Sequence, residues 1–475
     1  MNFGHGSTWA LLYLLSEWVI RLVMLVVVPV RRSPEAAKGW LLLGFFLPWP
    51  ALGLYLLIGR PTYPRWRRDR AARFSAVLRS SAAPVATDAQ ISLPVPASFV
   101  QATTLIQSLG HLPPLSGNRV ELLADYVGVI DTLVADIDAA QHHVHLLYFT
   151  FADDTTGQQV MEALARATQR GVICRVLIDA VGSRPWAHSV TETLSRNGIA
   201  VYRMLPVGLR GHIRADLRNH RKIAIVDGRV GYVGSQNLVS ADFKPGIVNQ
   251  ELVARVGGPV VQELQTVFTA DWFMETEQVL AGPELFPEVE HIGPAVAQVL
   301  PSGPDYPGAG IERLIVALVH GARERVVITT PYFVPDEALL EALGTAVLRG
   351  VAVHLVVSRV PDQMLVSLAQ RSYYDELLVA GVQIHLYRDK LLHAKHLTID
   401  GELAVVGSSN IDLRSFMLNA EVSLVCYDRG VTAQMMRVQE GYFAGSDLVS
   451  AAEWRTRPTA IKLCENLARL VSPLL

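Results

Sequence analysis

The chain has 475 residues, half of them hydrophobic and only 18% charged, with a net charge of −2. That length exceeds one ordinary core, so about two or three domains are expected. The apolar content points to a membrane portion, and the near-neutral balance gives no global drive towards nucleic acid, leaving anion binding to local sites.

Two apolar runs open the chain, residues 8–30 and 39–58. Each is close to the ~20 residues that cross a bilayer, so residues 1–60 are predicted to form a transmembrane hairpin. Glu17 and Arg21 interrupt the first run, and on a helix their spacing lets them pair. Pro48 and Pro50 would kink the second run, which leaves a tilted or re-entrant segment open. A cleaved signal peptide fits poorly: the start lacks a basic cluster and the run lacks a small-residue cleavage site. Arg60, Arg65, Arg67, Arg68, Arg70 and Arg73 follow the second run, against Arg31, Arg32 and Lys38 in the loop. The positive-inside rule then puts the bulk of the chain in the cytoplasm, with both ends on one side. With Tyr63 and Trp66 among them, the same arginines also suit an anionic lipid surface. Residues 61–117 are read as this basic segment and a linker, whose composition is clearest over 79–98.

Beyond it the chain repeats itself. HRKIAIVDG at 220–228 and HAKHLTIDG at 393–401 stand 173 residues apart at every matching position. Gly234-Ser235-Gln236-Asn237 and Gly407-Ser408-Ser409-Asn410 keep the same offset. Upstream, Arg170-Gly171-Val172 echoes Arg349-Gly350-Val351, and Tyr148-Phe149 echoes Tyr332-Phe333. Strand, helix, RGV turn, apolar strand and His-Lys hairpin recur in that order, which is an α/β repeat longer than any solenoid unit. The predicted architecture is α/β, two tandem domains related by a pseudo-twofold, at 118–275 and 301–475 with a connector at 276–300.

Residues two apart on a strand share a face, so His220 and Lys222 point one way, as do His393 and Lys395. Asp227-Gly228 and Asp400-Gly401 signal hairpin turns. The returning strands bring Ser235 and Asn237, and Ser408 and Asn410, back beside them. Lys supplies charge to a phosphate, and Asn and Ser supply neutral donors. A neutral imidazole is a nucleophile. With two clusters, one His can attack phosphorus while the other protonates the leaving oxygen, and such a pair titrates together. One HxK could be a polar strand face; two in register, each followed by GSxN, read as a site. No carboxylate cluster of the kind that holds magnesium or calcium accompanies them, so neither metal nor cofactor is expected. His142, His143 and His145 precede an apolar strand and carry no metal reading, and His188, His212, His354 and His385 read as satisfied or exposed. Cys174, Cys426 and Cys464 are far apart without a CxxC, so buried free thiols are expected.

HxKxxxxD followed by GSxN, twice, resembles the phospholipase D superfamily. The two apolar runs, GRPTYPRW, RNHRKIAIVDG, LLHAKHLTIDG, PYFVPD at 331–336, NIDLRSFMLNAE at 410–421 and the terminal SPLL are similar to bacterial cardiolipin synthases over almost the whole chain. The resemblance implies an integral, multi-pass inner-membrane enzyme, of open oligomeric state. It would convert two phosphatidylglycerols to cardiolipin and glycerol through a phosphatidyl-histidine, with catalytic domains in the cytoplasm and no nucleic acid partner. It implies His220 as nucleophile, His393 as acid and base, and Lys222, Lys395, Asn237 and Asn410 on the phosphate, with Ser235 and Ser408 beside them. Asp227 and Asp400 complete the catalytic motifs, although their place at the turns suits bracing better. Glu251 and Glu421 are candidates to orient a His of the facing half. Glu251 stands fourteen residues after Asn237, against eleven from Asn410 to Glu421, so the loops differ.

Three other readings share these residues. A hydrolase would use water as the acceptor, and a phosphatidylserine synthase-like enzyme another alcohol. A non-catalytic scaffold that binds anionic lipid would use neither His. A nuclease suits the charge balance and the membrane runs poorly.

Overall fold

A computed structural model describes residues 4–32, 34–59, 63–71, 73, 95–207, 216–288, 290–306 and 310–471. The linker composition over 79–94, His212 and the terminal SPLL lie outside the described residues.

The first apolar run is one helix, Gly4–Arg31, because nothing breaks it before Pro29 in its last turn. Its span Thr8–Arg31 is long and apolar enough to cross a membrane. Glu17 and Arg21 pair within it at 3.1 Å. The second run is not one continuous helix. It forms two helices, Pro34–Phe46 and Pro48–Ile58, of 13 and 11 residues. Pro48 cannot continue a helix from the residues before it but starts a new one readily. Ile20, Met24 and Val28 pack against Ala37, Trp40, Ala51 and Tyr55, closing a small helical cluster.

Residues 65–71 are helical and dock on the C-terminal end of the helix Val260–Thr276. Arg67 meets Glu275 at 2.8 Å, and Arg70 donates to the Met274 carbonyl at 2.6 Å and pairs with Glu277. Part of the basic run is therefore spent inside the protein, where cations suit the negative end of a helix dipole.

The repeat forms one sheet of fifteen strands rather than two. The first half supplies β1 (Leu115–Leu123), β2 (His143–Tyr148), β3 (Ile173–Asp179), β4 (Ala200–Met204), β5 (Lys222–Val226), β6 (Val230–Gly234) and β7 (Val253–Gly257). The second supplies β8 (Ala295–Ser302), β9 (Arg325–Thr329), β10 (Ala352–Ser358), β11 (Gln383–Tyr387), β12 (His396–Ile399), β13 (Leu403–Gly407), β14 (Glu421–Cys426) and the edge strand β15 (Ser446–Leu448). Their order is β15-β11-β10-β9-β12-β13-β14-β8-β1-β7-β6-β5-β2-β3-β4. Apart from β15 it is a palindrome about the β8–β1 seam: β1 answers β8, β5 answers β12 and β7 answers β14. The pseudo-twofold axis passes through that seam, where β1 and β8 pair antiparallel.

The boundaries differ from the sequence reading. The helix Val100–Gly110, inside the expected linker, buries Ile106 and Leu109 in the second half's core with Leu300 and Leu318. The expected connector contains the start of β8. The Tyr-Phe echo is also out of register. Asp227 N–H donates to the His143 carbonyl and Asp400 N–H to that of Arg325, so 143 answers 325 and Tyr148 answers Thr330, not Tyr332. Cys174 and Cys426 are buried, but Cys464 is exposed, contrary to the expectation of three buried thiols.

Candidate active site

Each hairpin turns on two residues with positive φ: Asp227 at 54° and Gly228 at 62°, Asp400 at 53° and Gly401 at 68°. Such type I′ geometry matches the twist of the flanking strands. The Asp carboxylates then face backbone amides. Asp227 accepts from the N–H groups of Gln141, His142 and His143 at 2.8–2.9 Å, and Asp400 from those of Arg323, Glu324 and Arg325 at 2.8–2.9 Å. A five-residue strand, roughly 16 Å at ~3.3 Å per residue, separates Asp227 from Lys222. Asp227 and Asp400 thus stand apart from the clusters and brace the hairpins, contrary to the expectation that they complete the catalytic motifs.

The histidines enter just ahead of β5 and β12, and each is set by backbone from the other half. His220 N–H donates to the Ala420 carbonyl and His393 N–H to the Gln250 carbonyl, both at 2.8 Å. One residue further on stand Glu421 and Glu251. Glu421 lies 2.9 and 3.1 Å from His220 Nδ1, and Glu251 lies 2.6 Å from His393 Nδ1. Both carboxylates are buried. The Nδ1–H donates to the carboxylate, so each imidazole presents Nε2 outward. The unequal GSxN-to-Glu spacing is absorbed in the loop before Asn249, and both glutamates reach equivalent places.

Burial depresses the His220 pKa to about 4, against the pull of Glu421, and lowers that of His393 for the same reason. Both rings are neutral in the free protein near pH 7. Lys222 and Lys395 are buried beneath them, each donating to the carbonyl of its own histidine, at 2.6 and 2.5 Å. Burial brings Lys222 down to about 7 and Lys395 to about 8, although the two glutamates resist it. An anion between the clusters would restore these charges, since loss of solvation is what weakens them.

Ser235 and Ser408 are fully buried and do not face a phosphate. Ser235 exchanges hydrogen bonds with the Leu252 backbone, and Ser408 Oγ donates to Glu421. They support the glutamates, which corrects the phosphate-binding expectation. Asn237 Oδ1 accepts from Thr150 N–H at 3.1 Å. Asn410 is buried beside its lysine strand, and its Oδ1 has no hydrogen-bond partner among the described residues. His143 and His145, away from this site, share the Gln265 side chain.

A sequence profile of the family described as "Cardiolipin synthase, PLD-like domain" matches residues 133–272 and 315–441. A Serratia proteamaculans protein named Cardiolipin synthase A is 36% identical over 472 residues, 95% of this chain and 96% of that one. The chain belongs to this cardiolipin synthase family. A Pectobacterium atrosepticum protein of the same name is 35% identical across 100% of both chains. The solved phosphatidylserine synthase of Haemophilus influenzae superposes with a TM-score of 0.59 over 80% of this chain and 100% of that one. At 15% identity, that likeness is one of fold.

Within the cardiolipin synthase repeat the two histidines have different neighbours, which the near-symmetric motifs conceal. Phe149 meets the His220 ring edge-on at 4.9 Å and lies 5.5 Å from Lys222 Nζ. In the other half, Tyr332 Oη donates to Asp362 at 2.7 Å, and Lys244 pairs with Asp362 across the halves at 2.9 Å. Arg221 is buried; it pairs with Asp271 at 2.5 Å and donates to the Glu421 carbonyl at 3.0 Å. Asn219 joins the same carboxylate at 3.0 Å. Their counterparts are Ala394 and Leu392. The RNHRK stretch held that asymmetry in plain view, since its second half reads LLHAK; the partners, 50 or more residues away, were not readable.

Proposed function

We propose that the chain is a membrane-bound phosphatidyltransferase that converts two phosphatidylglycerol molecules to cardiolipin and glycerol. The crossed arrangement, in which each half's glutamate holds the other half's histidine, carries this reading. Two Nε2 atoms left free by the carboxylates, each with a buried lysine two residues on, support an in-line exchange at one phosphorus. His220 Nε2 attacks the phosphorus of the first lipid, and the bond to the glycerol oxygen breaks. His393, protonated in the complex beside the phosphate anion, gives its proton to that oxygen, and glycerol leaves. The phosphatidyl-histidine keeps its Nδ1–H on Glu421, which balances the ring's new charge. A headgroup hydroxyl of the second phosphatidylglycerol then gives its proton to His393 and attacks phosphorus. The P–N bond breaks, cardiolipin forms and His220 is restored. Lys222, Lys395, Asn237 and Asn410 hold the non-bridging oxygens.

The helix Gly4–Arg31 and the broken pair after it form a multi-pass anchor in the bacterial inner membrane, with the catalytic halves in the cytoplasm. Arg65 and Arg68, exposed beside the anchor, support that orientation. Purified full-length protein in phosphatidylglycerol vesicles, without nucleotide, is expected to release one glycerol per cardiolipin. Phosphatidic acid without cardiolipin would replace this reading by hydrolysis.

A further inference from the structure

The helix Thr459–Val471 is amphipathic but docked by its polar side. Inward, Glu465 is 1% exposed, 2.7 Å from Arg457 and 2.9 Å from Arg371. Arg469 reaches Glu376 at 3.3 Å and lies over the Tyr373 ring. Outward, Leu463, Leu467 and Leu470 are 59%, 53% and 63% exposed. Their spacing of four and three lines one stripe along the helix. A surface helix of a globular domain ordinarily turns that stripe to the core. Met364 and Leu365, which begin the neighbouring helix Met364–Ser372, are exposed as well.

We propose that this outward leucine face docks on an anionic phospholipid bilayer, with the helix lying in the plane of the interface. Two cations flank the stripe, the exposed Arg455 and the half-buried Lys462, whereas Arg457 and Arg469 turn inward to Glu465 and Glu376. Apolar residues on one face with basic residues around them are what an interfacial helix needs. A second copy of the chain fits less well. A 13-residue helix is about 20 Å long and its face about 10 Å wide, so it covers roughly 200 Å². A stable pairing buries about 800 Å² on each partner. A bilayer sets no such minimum, and a chain already tethered at its N-terminus meets the surface at high effective concentration. The face would hold the second half against the lipid from which substrate is drawn.

Cys464, the exposed one of the three cysteines, lies on this helix and gives the test. Full-length protein carrying an environment-sensitive fluorophore at Cys464 is reconstituted in phosphatidylglycerol vesicles containing a lipid with a spin-label quencher on its acyl chain. Quenching is expected, and Leu467→Glu is expected to lose it while its thermal unfolding stays unchanged. A fluorophore that the quenching lipid does not reach overturns the proposal. So does a Cys464–Cys464 cross-link forming in place of quenching, which would assign the face to a second copy.

Discussion

Glu421 and Glu251 give each histidine its tautomer, and that sets the first expectation. A glutamine at 421 keeps the shape but removes the charge that stabilises a substituted imidazole. Supporting partners of this kind are worth about 10–100-fold in activity. Glu421→Gln is expected to lower kcat for cardiolipin formation by roughly that factor with little change in KM. A rise in KM with kcat preserved would move Glu421 into substrate binding. The lysines set the pH dependence. Their depressed values mean that each is charged below its pKa and neutral above it. Phosphate capture by the free enzyme therefore weakens as pH rises through 7 for Lys222 and 8 for Lys395. His220, at about 4, stays neutral and nucleophilic throughout that window. A profile of kcat/KM for phosphatidylglycerol is expected to fall on its alkaline side between these values. Asp227 makes the opposite kind of prediction. Its carboxylate accepts three backbone amides far from the chemistry, so Asp227→Ala is expected to cost about 2 kcal/mol of stability. The pH profile of the surviving enzyme should be unmoved.

The helix at 65–71 is the element whose role sequence could not assign. Its arginines read as topology markers or lipid contacts, because their acidic partners lie about two hundred residues away, at Glu275 and Glu277. Arg67 and Glu275 are nearly enclosed. Removing one partner leaves the other charge buried, at a cost of about 3–5 kcal/mol. Arg67→Ala is therefore expected to loosen the joint between anchor and catalytic halves, seen as faster proteolysis at 60–95. The double change Arg67→Ala with Glu275→Ala is expected to recover part of the loss. The broken second apolar helix was half legible: Pro48 announced a break, but not that both pieces would fold back on Gly4–Arg31.

At the scale of the molecule, the offset of 173 between the histidine segments carried the pseudo-twofold, because hairpins are local and their turn residues are specific. The single sheet was not legible. It depends on the β1–β8 pairing and on a helix from before the first half packing into the second, and neither leaves a periodic trace. His and Lys were legible in the site because their chemistry repeats. Their supports were partly so: the glutamates by motif, Arg221 as a break in the repeat but its partner Asp271 not at all, and the serines only in position. The division of labour between two near-equivalent histidines is the central claim that symmetry leaves open, and the buried Arg221–Asp271 pair beside His220 is the feature that separates them. The direct measurement is to acid-quench full-length enzyme during turnover of phosphate-labelled phosphatidylglycerol and map the labelled peptide by mass spectrometry. The label is expected on His220 and absent from His220→Ala. A label on His393 of the unaltered enzyme would contradict the assignment.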